Sequence, residues 1–167
     1  MTKGNHMIAV KRAGTGLGLF VRHDIQAGQR IIEYTGPLIL NEEAEERKFR
    51  KYFFRVNTKW VIDGSPRANT ARYTNHSCRP NAEAFISGYR VWIWSKKRIK
   101  AREEISLDYG EEYFDDHIKP RGCKCAGCFV RPKPGAQFIK TEKERPPIKE
   151  VLFLSDDKQG SVRVLLL

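Results

Sequence analysis

The sequence predicts a mostly β fold built from several small sheets, α+β by strict count. Three observations carry that expectation. Short runs rich in Val, Ile, Phe and Tyr recur through the first hundred residues, each bounded by Gly or charged turn residues. Only one run, NEEAEERKFRK at 41–51, has the signature of a helix, with Asn41 as a cap, acidic residues in its first turn and basic ones in its last. From Asp115 onward apolar residues give way to Cys, Pro and Lys, so that stretch needs something other than a hydrophobic core to hold it.

In chain order the expected strands are MIAVKR (7–12), GLFVRH (18–23) and QRIIEY (29–34). After the helix, YFFRV (52–56) and KWVID (59–63) form a hairpin across Asn57-Thr58. AEAFIS (82–87) and RVWIWS (90–95) form another across Gly88-Tyr89. In the latter, Val91, Ile93 and Ser95 share one face while Trp92 and Trp94 share the other. EISLDY (104–109) is the last expected strand of the body. The end, VLFLSDDKQGSVRVLLL at 151–167, fits a hairpin or a docked helix, between which periodicity does not decide.

The chain has 167 residues, 40% of them hydrophobic and 11% aromatic, enough for one domain with its own core and against disorder. No apolar run approaches the roughly 20 residues of a membrane span, and the start lacks a signal-peptide apolar region. A soluble protein that stays inside the cell is therefore expected. Thirty-one Lys and Arg against twenty Asp and Glu give a formal charge of +11, which suits a polyanionic neighbour such as nucleic acid, or simply a solvated basic face. Residues 117–150 carry nine Lys or Arg, three Glu and five of the eight prolines.

All four cysteines have a place in one metal site. Cys123, Cys125 and Cys128 crowd into CKCAGC, and Cys78 lies 45 residues before the first of them. In a reducing compartment that usage points to metal more than to disulfides, and four thiolates suit tetrahedral zinc. The segment RYTNHSCRPNAE (72–83), which holds Cys78, is far more polar and functionally mixed than a turn requires. Asn75 and Asn81 also suit local turn formation.

Four separated stretches, GTGLGLF (14–20), EYTG (33–36), RYTNHSCRPN (72–81) and EISLDYGEEYF (104–114), resemble in order the motifs of the SET-domain family of protein lysine methyltransferases. The GxG element is Gly16-Leu17-Gly18, the YxG element Tyr34-Thr35-Gly36, NHSCxPN runs from Asn75 to Asn81, and ExxxDY from Glu104 to Tyr109. The resemblance covers about residues 7–130 and divides the chain into a SET domain (1–115), a post-SET zinc-binding segment (116–135) and a C-terminal extension (136–167).

The resemblance implies a β fold of small sheets with a C-terminal pseudoknot, in which the NHSCxPN segment and the DY strand are threaded against each other. It further implies S-adenosylmethionine as cosubstrate, bound on one face, with the target lysine entering a channel from the other. The implied cofactor contacts are Thr15, Gly16, Leu17, Gly18, Tyr52, Arg72, Asn75, His76 and Phe114, with Arg72 as a carboxylate clamp. Tyr109 is the implied catalytic tyrosine and Tyr34 lines the lysine channel. Cys78, Cys123, Cys125 and Cys128 are the implied ligands of structural Zn2+; the CxCxxC spacing departs from the longer final gap of many members. The implied partner is a histone or another protein with an accessible lysine, with nucleic-acid association through the basic surface. The implied location is chromatin in a eukaryote or for a host-targeted protein, and cytoplasm in a bacterium. Two other readings stand beside this one: a SET-fold binding module without the reaction, and a zinc-stapled nucleic-acid-binding protein.

One position departs from the family in a way that bears on the product. Many members carry Phe or Tyr two residues before the catalytic tyrosine, where this chain has Leu107. An aliphatic side chain offers no hydroxyl to hold a water, so the site is expected to be roomy enough for di- or trimethyllysine. Mass spectrometry of a substrate taken to exhaustion should find those products; a pure monomethyl product would contradict the expectation.

Overall fold

A computed structural model of the chain describes residues 7–128. The expected element at 151–167 and the boundary between 135 and 136 lie outside the described residues. Ten short strands make four small sheets, two of two strands and two of three, as the sequence led us to expect.

Strands β1 (Ile8–Ala13) and β2 (Gly16–Val21) form an antiparallel hairpin. Its register pairs Ala13 with Gly16, so the turn is Gly14-Thr15, and Gly16-Leu17-Gly18 begins a strand rather than sitting in a loop. A second sheet, in the order β3-β9-β8, joins β3 (Arg30–Tyr34), β9 (Arg90–Ser95) and β8 (Ala82–Ser87). In β9 the two faces separate as expected: Val91, Ile93 and Ser95 are buried, while Trp92 and Trp94 are half-buried on the outside. Val91 and Ile93 join Leu19, Ile25, Ile99 and Ile105 at the centre of one core.

The third sheet sets β6 (Trp60–Asp63) between β4 (Leu38–Leu40) and β5 (Phe53–Arg55). The β5–β6 hairpin is there, closed by Asn57, whose Oδ1 accepts the backbone N–H groups of Lys59 and Trp60. Helix α1 is shorter than expected, Asn41–Glu46, and it buries only Ala44. Asn41 lies inside its first turn, with Nδ2 donating to Glu45 at 3.1 Å, and caps nothing. The helix stops at Arg47, whose backbone is extended (ψ 133°) while its guanidinium bridges Glu43 of the helix at 2.5 Å and Asp63 of β6 at 2.7 Å. Six residues are too few to hold a helix without tertiary support, so RKFRK becomes a loop.

The expected strand at 104–109 is divided between two partners. Glu104 bridges Phe20, and the Ile105 N–H donates to Leu19 O at 2.7 Å, extending the first sheet. The next two residues, β10 (Ser106–Leu107), leave β2 and run parallel to β7 (Asn75–His76), with Ser106 opposite Asn75 and Leu107 opposite His76. This is the crossing of NHSC and DY segments that the resemblance implied.

Asn81, buried to 4% exposure, fixes that crossing. Its Nδ2 donates to the Glu104 carbonyl at 2.8 Å and to Glu103 Oε1 at 3.0 Å, and its Oδ1 accepts the Ser106 N–H at 2.9 Å. It is thus a staple between two segments rather than a local turn former. After β10 the chain winds through α2 (Glu111–Tyr113), a π turn (Phe114–Ile118) and a 3-10 turn (Lys119–Arg121) into the cysteine knuckle.

The glycine of YxG has a packing cause. A Cβ at Gly36 would fall on the backbone carbonyl of Asp63, which is itself held in the sheet. Gly36→Ala should therefore lower stability by about 1–3 kcal/mol, the usual cost of overpacking a site that cannot yield. Gly14, with nothing within 4 Å of an added Cβ, is the control. Urea denaturation of both variants checks this, and an unchanged midpoint for Gly36→Ala would contradict it.

Candidate functional site

The β7–β10 crossing gathers the unusual side chains of the sequence. Asn75 spends both amide protons on the protein: Nδ2 donates to Leu17 O at 3.0 Å and to Glu104 Oε1 at 2.6 Å. These bonds tie the GxG strand to the NHSC segment and leave the amide oxygen for a ligand. His76 lies between Tyr109 and Phe114, with ring centroids 5.5 and 5.4 Å away. Its Nδ1 accepts the Tyr109 N–H at 3.2 Å, and its Nε2 is 3.3 Å from Cys78 Sγ. Burial lowers its pKa and outweighs the opposite pull of Asp108, 3.8 Å away, so the ring is neutral near pH 7.

Two tyrosines are held alike, each through a backbone carbonyl. The Tyr109 hydroxyl donates to Thr74 O at 2.6 Å. The Tyr34 hydroxyl donates to Tyr52 O at 2.7 Å, a carbonyl that also accepts the Gly64 N–H at 2.9 Å. Gly64 lies so close to the Tyr34 phenol that an added Cβ would overlap its hydroxyl oxygen and ring. Burial pushes both phenols well above the ordinary tyrosine pKa, and the nearby Tyr113, Tyr34 and Tyr52 add to the rise at Tyr109. Neither phenol can act as a phenolate base near neutral pH.

A cavity of about 700 Å3 opens in front of this group. Thr15, Asn75, His76, Tyr109 and Tyr113 form one wall, the loop Lys48–Lys51 another, and His117, Ile118 and the stretch Arg121–Cys125 a third. Of the expected cofactor contacts, Thr15, Asn75 and His76 therefore line it. Gly16, Leu17 and Gly18 reach it only through the bond from Leu17 O to Asn75. Phe114 packs against His76, and Tyr113 takes the place in the wall. Arg72 and Tyr52 are also outside the lining: the Arg72 guanidinium stacks 3.7 Å over the Tyr52 ring and donates to Ser65 O. A smaller cavity of about 200 Å3 is lined by Tyr34 together with Glu33, Thr35, Gly36, Leu38, Ile62, Tyr89 and Arg90, sharing no residue with the larger one.

Sequence reasoning missed the tie of Glu104 to Asn75 and the cations of the cavity wall, whereas Tyr113, an aromatic that the resemblance sets at the channel or cofactor pocket, does line the cavity. Glu104 was legible only as part of ExxxDY, and its bond to Asn75 is a tertiary contact across 29 positions. Lys48, Arg50 and Lys51 were read as the end of a helix; the scarcity of apolar residues from 47 to 51 was the available sign of a loop.

The cysteines meet beside the cavity. The sulfurs of Cys78, Cys123, Cys125 and Cys128 all lie within 4.8 Å of one another. Cys78 Sγ is 3.8 Å from that of Cys123 and 3.4 Å from that of Cys128. A tetrahedron of zinc–thiolate bonds about 2.3 Å long has edges of roughly 3.8 Å, so the four residues fit the metal. Burial raises the Cys125 thiol, but the N–H groups of Cys78 and Cys128 and the neighbouring thiols outweigh it and bring the pKa down to about 6. Burial and its neighbours push Cys78 the other way. Crowded sulfurs that cannot all ionise alone are what a divalent cation would stabilise.

Comparisons with known proteins point to the family that the sequence motifs resemble. The family model described as SET domain matches residues 16–110. Histone-lysine N-methyltransferase 2D of Homo sapiens is 36% identical over 138 residues, covering 75% of this chain and 2% of that protein. Histone-lysine N-methyltransferase set-2 of Caenorhabditis elegans is 37% identical over 128 residues, covering 70% and 8%. Histone-lysine N-methyltransferase ASHH1 of Arabidopsis thaliana is 35% identical over 117 residues, covering 63% and 24%. The chain spans less than a quarter of the length of these three relatives.

Metal analysis of the fully reduced protein should find one zinc per chain, and Cys125→Ser should lose it. Fully reduced protein without zinc would contradict the four-thiolate site.

Proposed function

The chain belongs to the SET-domain family, and from that premise we propose that it is an S-adenosylmethionine-dependent protein lysine N-methyltransferase acting on a histone or another basic protein. The observation that carries this reading is the placement of Tyr109 in the wall of the 700 Å3 cavity beside Asn75 and His76. S-adenosylmethionine, when bound there, supplies a methyl group on a sulfonium. The free amide oxygen of Asn75 would accept from the cofactor's ammonium, and the backbone at His76 would meet the adenine. With Arg72 engaged on Tyr52 and Ser65, the carboxylate would find its cation among Lys48, Lys51 and Lys124, which line the cavity.

Tyr109 and Tyr34 act through their oxygens. Each hydroxyl proton is committed to a carbonyl, so the lone pairs of each oxygen are left for the reacting centre. Such a pair can accept from the attacking amine and favour the electropositive methyl in flight, with no reorganisation during the reaction. Because both phenols stay protonated, the lysine must lose its proton to water before attack, helped by burial and by a neighbouring positive charge. The rate should then rise with pH as the free amine becomes available. Tyr109→Phe should keep that slope, since the phenol does not titrate in the range.

Zn2+ on the four cysteines is structural in this reading and holds the 122–128 knuckle as the far wall of the cavity. Histone is the substrate in the names of the relatives, and such a substrate would place the protein on chromatin, where the +11 charge would favour nucleic acid. Among the described residues no helix is long and apolar enough to cross a membrane.

The test is methyl transfer from labelled S-adenosylmethionine to core histones and to a cell extract. Wild-type protein should label a lysine, and Tyr109→Phe should be slower by about 10²–10³, the scale for losing one preorganised group. Cofactor binding without labelling of any pool would favour a binding module. Equal labelling by the variant would overturn the role of Tyr109.

A further inference from the structure

His76 touches both the cysteine cluster and Tyr109, and its two ring nitrogens face opposite demands. We propose that His76 is a positioning residue that ties the metal site to Tyr109, its Nε2–H donating to Cys78 Sγ and its Nδ1 accepting the Tyr109 N–H. The tautomer follows from the partners. A backbone N–H can only donate, so the nitrogen 3.2 Å from Tyr109 N must be bare, and the neutral ring carries its proton on Nε2. That proton points at a sulfur 3.3 Å away, a good acceptor once metal binding makes it a thiolate.

Among the described residues no other group competes for the ring nitrogens. Asp108 Oδ1 is 3.8 Å from Nδ1, outside hydrogen-bonding range, and accepts the Gly110 N–H at 3.1 Å. The side chains of Tyr109 and Phe114 meet the imidazole by ring contact. The opposite tautomer would leave the Tyr109 N–H without its acceptor and the Cys78 sulfur without its donor. His76 therefore fixes the backbone of the residue whose phenol lines the cavity, and anchors that fixation on the metal cluster. The inference rests on the proposed function only in giving Tyr109 a catalytic purpose.

The two bonds can be separated by substitution. The amide nitrogen of Gln reaches the place of Nε2, so His76→Gln keeps a donor for Cys78 and loses the acceptor for Tyr109. Asn places its oxygen near Nδ1, so His76→Asn does the reverse. On the zinc-loaded full chain, His76→Asn should release zinc to a chelator about 10–100-fold faster, the usual effect of removing an outer partner of a metal ligand. The Tyr109 amide should keep its slow hydrogen exchange in that variant. His76→Gln should hold zinc and exchange the Tyr109 amide about tenfold faster, the scale of one lost hydrogen bond. Variants that behave alike in both measurements would overturn the proposal. If neither folds, nitrogen-15 NMR of the wild-type ring decides: the Nε2–H tautomer supports it, and Nδ1–H overturns it. None of these measurements needs methyl transfer, so a chain that fails to methylate leaves this inference to stand or fall by itself.

Discussion

Everything at the candidate site hangs on two residue pairs, Ser106 with Asn75 and Leu107 with His76. A parallel ladder this short has little stability of its own. It persists because Asn81 fills its whole hydrogen-bonding capacity across the same junction, inside a buried environment where an unmet partner would cost about 1–3 kcal/mol. On one side of the pair the chain has just left the β1–β2 hairpin; on the other it is about to supply Cys78. One contact therefore brings the Asn75 amide, the Tyr109 phenol and the Cys78 sulfur into one neighbourhood.

Around that crossing the protein relies on backbone carbonyls to aim side chains. Thr74 O and Tyr52 O each accept a tyrosine hydroxyl, and Leu17 O accepts Asn75. Carbonyls are fixed by the sheets and turns that carry them, so the aim costs little side-chain entropy. The glycines matter for the same reason: Gly36 and Gly64 let a strand and a phenol approach backbone that could not move aside. The cysteine cluster takes the place of a core in the last described turns, where Cys125 is the only buried hydrophobic side chain beyond Leu107 among the described residues.

Much of the architecture was legible because strands announce themselves by alternation and turn residues. The two faces of β9 were read from RVWIWS alone, and both later hairpins were placed at their turns. What was not legible was decided by tertiary partners. NEEAEERKFRK has the composition of a helix throughout, yet the backbone turns extended at Arg47, whose guanidinium bridges Glu43 and Asp63, sixteen residues on. EISLDY reads as one strand, but two neighbours share it. Arg72 has the chemistry of a carboxylate clamp, and only the structure reveals Tyr52 stacked beneath it. The cavity cations at 48–51 were hidden by the same misreading that lengthened the helix.

The crossing should build one cofactor site with Tyr109 at its reacting end. A crystal structure of the zinc-loaded protein with the product S-adenosylhomocysteine tests it most directly. Adenine is expected at the His76 backbone, the amino-acid end at Asn75 and the sulfur directed towards Tyr109, with one metal on the four cysteines. A product lodged outside the cavity of Thr15, Asn75, His76 and Tyr109, or one whose sulfur faces away from Tyr109, would contradict it.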